Sequence, residues 1–144
     1  MQAFIVEARN TPGELARVTE AIATQGVNIE AFCLGHDGSG AAAFLSHDEP
    51  GLRSALTSGG IKAKEVPILT VWLENRPGTV ATTARRLADA GVNIEFLAPV
   101  EYAADRRATV AIGVDKIDVA RNTLTDQLTE WRVPEPSLAG SMTR

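Results

Sequence analysis

Residues Asn10–Glu30 read NTPGELARVTEAIATQGVNIE, and residues Asn75–Glu95 read NRPGTVATTARRLADAGVNIE. Aligned at an offset of 65 without a gap, they agree at 10 of 21 positions: the Asn-x-Pro-Gly opening, two alanines and the Gly-Val-Asn-Ile-Glu ending. Shared composition does not produce such agreement in register, so the chain is read as two copies of one structural unit.

Each unit parses by period. FIVEA puts Phe4, Val6 and Ala8 on one side of a short strand, and the second copy puts Leu69, Val71 and Leu73 there. Pro12 and Pro77 suit the first turn of the helix that follows, because their φ is preset and no amide hydrogen is needed. Leu15, Val18 and Ile22 then recur at helical spacing, as do Val80, Ala84 and Leu87. Gly26 and Gly91 are placed to end these helices in a left-handed conformation. Val-Asn-Ile leads into a second strand in each copy, through AFCL to a hairpin at HDGSG and back as AAAFLS in the first. In the second copy FLAPVEY turns near AADR and returns as ATVAIGV. Pro99 interrupts its strand and so belongs at an edge or a bulge.

A second helix is predicted in each half. PGLRSALTSGG carries Leu52, Ala55 and Leu56, while Ile117, Ala120, Leu124 and Leu128 form a stripe after the cap candidate Asp115. Final strands are expected at IKAKEV and around WRVP. The predicted class is α+β: two ferredoxin-like βαββαβ repeats, with antiparallel sheets joined side by side and helices on one face. The expected bounds are 1–66 and 67–134, with 135–144 a flexible tail. Only Pro67 separates the halves, so they are expected to pack as one rigid body.

Composition narrows the function. The chain has 144 residues, 44% of them hydrophobic, enough for one ordinary core or two small ones sharing a surface. A net charge of -4 offers no broad basic surface for nucleic acid. No apolar run approaches the roughly 20 residues that span a bilayer, and MQAFIVEARN does not read as a signal peptide. Cys33 is the single cysteine, which suits a reducing compartment, and a cytoplasmic location is expected.

NTPGELARV and NRPGTVATT, each after a first strand and each followed by a glycine-bounded Val-Asn-Ile, resemble tandem ACT domains across both halves of the chain. The family often has Asp where Asn10 and Asn75 stand. The resemblance implies small regulatory modules that bind amino acids and control metabolic enzymes. It implies pairs associating into a continuous eight-stranded sheet, with the effector at the interface beside the first strand-to-helix loop. A homodimer is expected, through the helix-free sheet face where Trp72 alternates against Val71 and Leu73.

An amino acid presents a carboxylate and an ammonium. Backbone amides near Gly13, Glu14 and Leu15, and near Gly78, Thr79 and Val80, point out of a helix start and favour an anion. Asn10 and Asn75 offer amides that either orient an effector or simply cap the turn. By family analogy, the backbone of Asn28 and Ile29, and of Asn93 and Ile94, completes the polar contacts; an ordinary loop-to-strand role is the stronger reading for the two asparagines. Glu14 corresponds to Thr79, so a carboxylate near the first loop either repels the ligand's carboxylate or meets its ammonium. The two sites are therefore expected to differ in affinity.

No catalytic constellation is found. Glu30 and Glu95 occupy equivalent places without a histidine, metal set or nucleophile beside them, and read as solvated strand positions. His36 and His47 lack metal-ligand spacing and read as turn residues, while Cys33 in AFCL reads as packing. GHDGSG, SGG, ARRLAD and the pair Phe96 and Tyr102 lack the context of a nucleotide loop or a nucleic-acid platform. The expectation is a non-enzymatic regulatory protein with no cofactor and no metal, bound to an amino acid effector. The alternative is a ligand-free interaction module or regulatory subunit of an amino-acid metabolic enzyme.

Overall fold

The computed structural model describes residues 1–133. The expected tail at 135–144 and the end of the second repeat at Pro134 lie outside the described residues. The elements run β1 (Gln2–Arg9), α1 (Glu14–Thr24), β2 (Glu30–His36), β3 (Ser39–Leu45), α2 (Glu49–Ser58), β4 (Lys64–Glu74), α3 (Thr79–Asp89), β5 (Ile94–Tyr102), β6 (Arg107–Val114) and α4 (Ile117–Thr123). The strands form one six-stranded antiparallel sheet in the order β2-β3-β1-β4-β6-β5. This is an α+β architecture of two ferredoxin-like repeats, with six strands where eight were expected.

β4 departs from expectation. The two strands predicted on either side of Pro67 are one strand, so the expected boundary at 66/67 falls inside an element. Residues 64–67 pair with β1 and residues 68–74 with β6. Pro67 is the last position paired with β1, where a missing N–H costs least.

The strand expected around WRVP is also absent from residues 131–133. Instead, the Trp72 amide donates to the Gln127 carbonyl at 2.8 Å and the Thr129 amide to the Thr70 carbonyl at 3.0 Å. Leu128 makes an isolated bridge to Val71. β1 and the Met1 carbonyl already occupy this edge of β4 as far as Ile68, leaving room for little more than a bridge. α4 correspondingly stops at Thr123, and the chain turns back to the sheet at once.

Alternation along the strands sets the layers. Phe4 and Val6 of β1 pack with Val18 and Ile22 of α1 and Leu52 and Leu56 of α2. Leu69, Val71 and Leu73 of β4 pack with Leu87, Val110, Ile112 and Leu124. Phe4 stands opposite Glu65, which shares its strand face with Leu69, so both helix pairs cover the same side of the sheet. On the other side, Ala3, Leu45, Ile68 and Ala111 form a third cluster with Phe96, Val100 and Trp131, and this cluster crosses from one repeat into the other. Trp72 shares that helix-free side, half-buried, with the Arg107 guanidinium 5.4 Å from its ring centre.

The helix ends also adjust the reading. Gly13 and Gly78 are the N-caps, both at φ 90°, and no side chain caps either helix. Pro12 and Pro77 therefore precede the cap rather than lying in the first turn, because the left-handed glycine makes the turn into the helix. Gly26 and Gly91 end the helices at φ 69° and 73°, as expected. The hairpin HDGSG turns through Asp37 and Gly38, both at positive φ. β5 is an edge strand whose register shifts between Pro99 and Glu101, which accommodates the proline.

Candidate functional site

In the first repeat, β1 ends in a loop tied to the β2–β3 hairpin by the Asn10 amide, which donates to the Gly38 carbonyl at 3.0 Å. The first helical bond of α1 runs from the Arg17 amide to the Gly13 carbonyl at 2.9 Å. The amides of Leu15 and Ala16 lie ahead of that bond, in the turn where helix N–H groups lack intrahelical partners.

Between this loop, α1 and the hairpin lies a cleft of about 140 Å³. Val6, Val18, Ala42 and Phe44 make its buried floor, while Arg9, Asn10, Thr11 and Glu14 stand at its mouth. The Glu14 carboxylate accepts a bond from Arg17 at 3.3 Å. A Cβ added at Gly35 would come within 2.5–2.7 Å of the Asn10 amide group, and one at Gly40 within 3.2 Å of the Leu34 carbonyl. Gly35 thus leaves the space in which the Asn10 side chain is seated.

Three features missed from sequence belong to this cleft. Arg9 borders it and also a depression with Glu7 and Ser39, Ala8 and Ala42 leave its interior open, and Cys33 lines its wall. Cys33 is exposed on β2 rather than packed in the core, because β2 is an edge strand; partial burial still pushes its thiol pKa up. The run of small residues Gly40–Ala43 was the available signal.

The second repeat is built differently. The Asn75 amide donates to the Arg106 carbonyl at 2.7 Å, matching the Asn10 tether. Yet the Thr79 hydroxyl turns back to donate to the Glu74 carbonyl at 2.9 Å. Asn75 lines a separate depression with Trp72, Glu74, Arg76 and Asp105–Arg107. Gly78 and Thr79 instead border a cleft of about 280 Å³ that includes Thr83, Arg86, Asp126 and Gln127.

Arg86 lines that cleft and is tied down within it. It donates to both Asp126 carboxylate oxygens at 2.7 and 3.1 Å, to Gln127 Oε1 at 2.8 Å and to the Thr123 carbonyl at 2.6 Å. These bonds hold the Asp126 carboxyl below the usual carboxylate range and raise the Arg86 pKa. Gln127 also donates to the buried Thr83 hydroxyl at 3.2 Å. The apolar stripe expected at Val80, Ala84 and Leu87 is thereby replaced by Thr83 and Leu87, with Val80 exposed and lining neither cleft.

The remaining candidates lie elsewhere. Asn28 and Ile29 line a cleft of about 440 Å³ between the repeats, with Ser46, His47, Val100, Glu101 and Trp131. The Asn28 carbonyl accepts from the Ser46 hydroxyl at 2.7 Å, and the His47 and Trp131 ring centres lie 3.9 Å apart. The Asn93 amide donates to the Asp115 carboxylate at 2.9 Å, and Ile94 packs against the second core. Asp115 thus fastens the Asn93 loop instead of capping α4, whose N-cap is Lys116. Asn28 and Ile29 are not among the residues lining the Asn10 cleft, nor Asn93 and Ile94 among those lining the Asn75 depression.

Among the described residues, no group of three or more His, Cys, Asp and Glu side chains could hold a metal ion. No described helix is long and apolar enough to cross a membrane.

No protein-family model and no curated protein matches the chain. Solved structures do. Protein BT0572 from Bacteroides thetaiotaomicron superposes with a TM-score of 0.71 at 21% identity, covering 87% of this chain and 86% of that one. The ligand-free regulatory subunit of aspartate kinase from Thermus thermophilus gives 0.57 at 21% identity, covering 87% and 90%. The corresponding subunit from Thermus flavus gives 0.55 at 23% identity, again covering 87% and 90%. At these identities the likeness is one of fold: the chain shares its two-repeat α+β fold with those structures.

Proposed function

We propose that this protein is a non-enzymatic regulator that binds a free amino acid at the first strand-to-helix loop. The observation that carries the reading is the cleft of the first repeat, with Asn10 and Glu14 at the mouth of an apolar interior. An α-amino acid needs a partner for each of its two charges. Glu14 and the Asn10 carbonyl oxygen suit the ammonium, while the helix-start amides at Leu15 and Ala16 suit the carboxylate. Gly13 supports this by its left-handed turn, which leaves no side chain over those amides.

On this reading the second loop, at Asn75, Gly78, Thr79 and Val80, is a weak site or none, since Thr79 and Arg86 spend their donors internally. Asn28, Ile29, Asn93 and Ile94 stand outside the site of a single chain. The test is calorimetry and thermal shift of the full chain against the proteinogenic amino acids. One equivalent bound per chain is expected, and no response at millimolar concentration sinks the ligand reading.

A second reading, as an interaction module or regulatory subunit acting on a metabolic enzyme, is favoured by β2. Every residue of this edge strand is exposed, with Phe32 at 48% and Leu34 at 71%, and Leu15 of α1 is 50% exposed. An apolar, unpaired edge is a template for association. A homodimer formed there would put each cleft beside its neighbour's chain, and the two readings are compatible. L34K is expected to raise the dimer dissociation constant at least tenfold in sedimentation equilibrium; an unchanged constant refutes the β2 contact.

A further inference from the structure

The two repeats can be superimposed residue by residue through their strand registers, and the comparison shows what opens the first cleft. Ala8 pairs with Gly40 and Val6 with Ala42; at the same places Leu73 pairs with Ala108 and Val71 with Val110. Leu73 and Val110 are both buried and larger than Ala8 and Ala42, and the second repeat's cleft, which Leu73 borders, opens instead onto Thr83, Arg86 and Gln127. The cavity is therefore a product of small side chains at two strand positions on the helix-covered face.

What lines that volume decides what enters it. Val6, Val18, Ala42 and Phe44 carry no hydrogen-bonding side-chain group, and the charged group of Glu14 remains at the mouth. A volume of about 140 Å³ is close to that of the roughly 150 Å³ apolar cavity that accepts benzene. It has room for an aliphatic side chain of three or four carbons, but its interior offers no partner for a second carboxylate, amide or ammonium, which would be desolvated unpaired.

We propose that the first repeat selects amino acids with a short aliphatic side chain, such as valine, leucine and isoleucine, and rejects those with a charged side chain. The proposal rests on the ligand reading above and adds the identity of the side-chain pocket. Ala8 and Ala42 set the depth, and Asn10, seated over Gly35, holds the backbone end of the ligand.

The test is titration calorimetry of the full chain with L-valine, L-leucine, L-isoleucine, L-lysine and L-aspartate, repeated on A8L and A42V. These substitutions install the second repeat's residues in the first. The expected result is aliphatic binding at least tenfold tighter than that of lysine or aspartate, lost in A8L and weakened in A42V. Circular dichroism and the thermal midpoint identify a variant that fails to fold, and A42V, which adds only two methyl groups, serves if A8L does. Lysine or aspartate binding as tightly as leucine overturns the selectivity while leaving the ligand reading intact. Leucine affinity unchanged in both folded variants overturns the pocket assignment, and no binding by any amino acid overturns both proposals.

Discussion

Asn10 and Asn75 occupy equivalent positions with equivalent backbone tethers, yet their side chains have different surroundings. Gly35 and Gly40 make room beneath Asn10, whereas Tyr102 and Ala108 hold those register positions in the second repeat. The capping role considered for both asparagines is taken by neither, since Gly13 and Gly78 are the N-caps and no side chain caps them. That leaves the Asn10 amide available to a ligand. N10A is expected to weaken amino acid binding about tenfold, the loss of one hydrogen bond to a charged group, and N75A to leave it unchanged. G35A should reproduce the loss by displacing the Asn10 side chain, with a thermal midpoint near that of the wild type because an exposed amide can swing aside. Calorimetry on the three variants decides it: equal affinities in N10A and N75A refute the asymmetry.

At the scale of elements, α3 shows why a stripe of apolar residues was misread. Helical spacing selected Val80, Ala84 and Leu87, but the face turned inward is that of Thr83 and Leu87. A threonine is tolerated there because Gln127 reaches across to its hydroxyl, a partner 44 positions away that no local pattern reveals. Arg86, one turn along, is equally opaque from sequence: ARRLAD reads as a basic pair on a mixed helix, whereas Arg86 joins α3 to the turn after α4 through Asp126. The direction of the Asp126 shift gives a pH signature. Its carboxyl is held below its ordinary value by the Arg86 bond, so the folded state favours the ionised form. The stabilisation is present above the ordinary carboxylate pKa of about 3.9 and is lost as the pH falls through the depressed folded value. Thermal melts of wild type and D126N should therefore differ at pH 7 and converge toward pH 2. A gap between them that persists undiminished at pH 2 would mean that Asp126 acts by something other than its charge.

The fold of the whole molecule was legible because it is written twice. The repeated Asn-x-Pro-Gly and Gly-Val-Asn-Ile segments mark the loops and helix stops of both units, and alternation in FIVEA and ATVAIGV marks core strands. What periodicity could not show was the joining of the units, since the fusion of two strands across Pro67 depends on which neighbour each half finds in space. The clefts were illegible for the same reason: three strands and a helix must come together before the small side chains of Ala8 and Ala42 become a volume.

The fused strand carries a thermodynamic consequence. Ile68 lies where β4 changes partners, is 1% exposed, and belongs to the cluster that includes Ala3 and Leu45 of the first repeat and Ala111 of the second. One repeat cannot unfold without exposing that cluster and stripping one side of β4, so the described residues should melt as a single cooperative unit. I68A should cost about 2–5 kcal/mol, the range for removing a large buried side chain, and lower the midpoint by roughly 10 °C for a chain of this length. Scanning calorimetry provides the check through the ratio of calorimetric to van't Hoff enthalpy. A ratio near one in both wild type and I68A fits repeats bound through β4, whereas two resolved transitions in the wild type would show that the shared strand transmits too little energy to couple them.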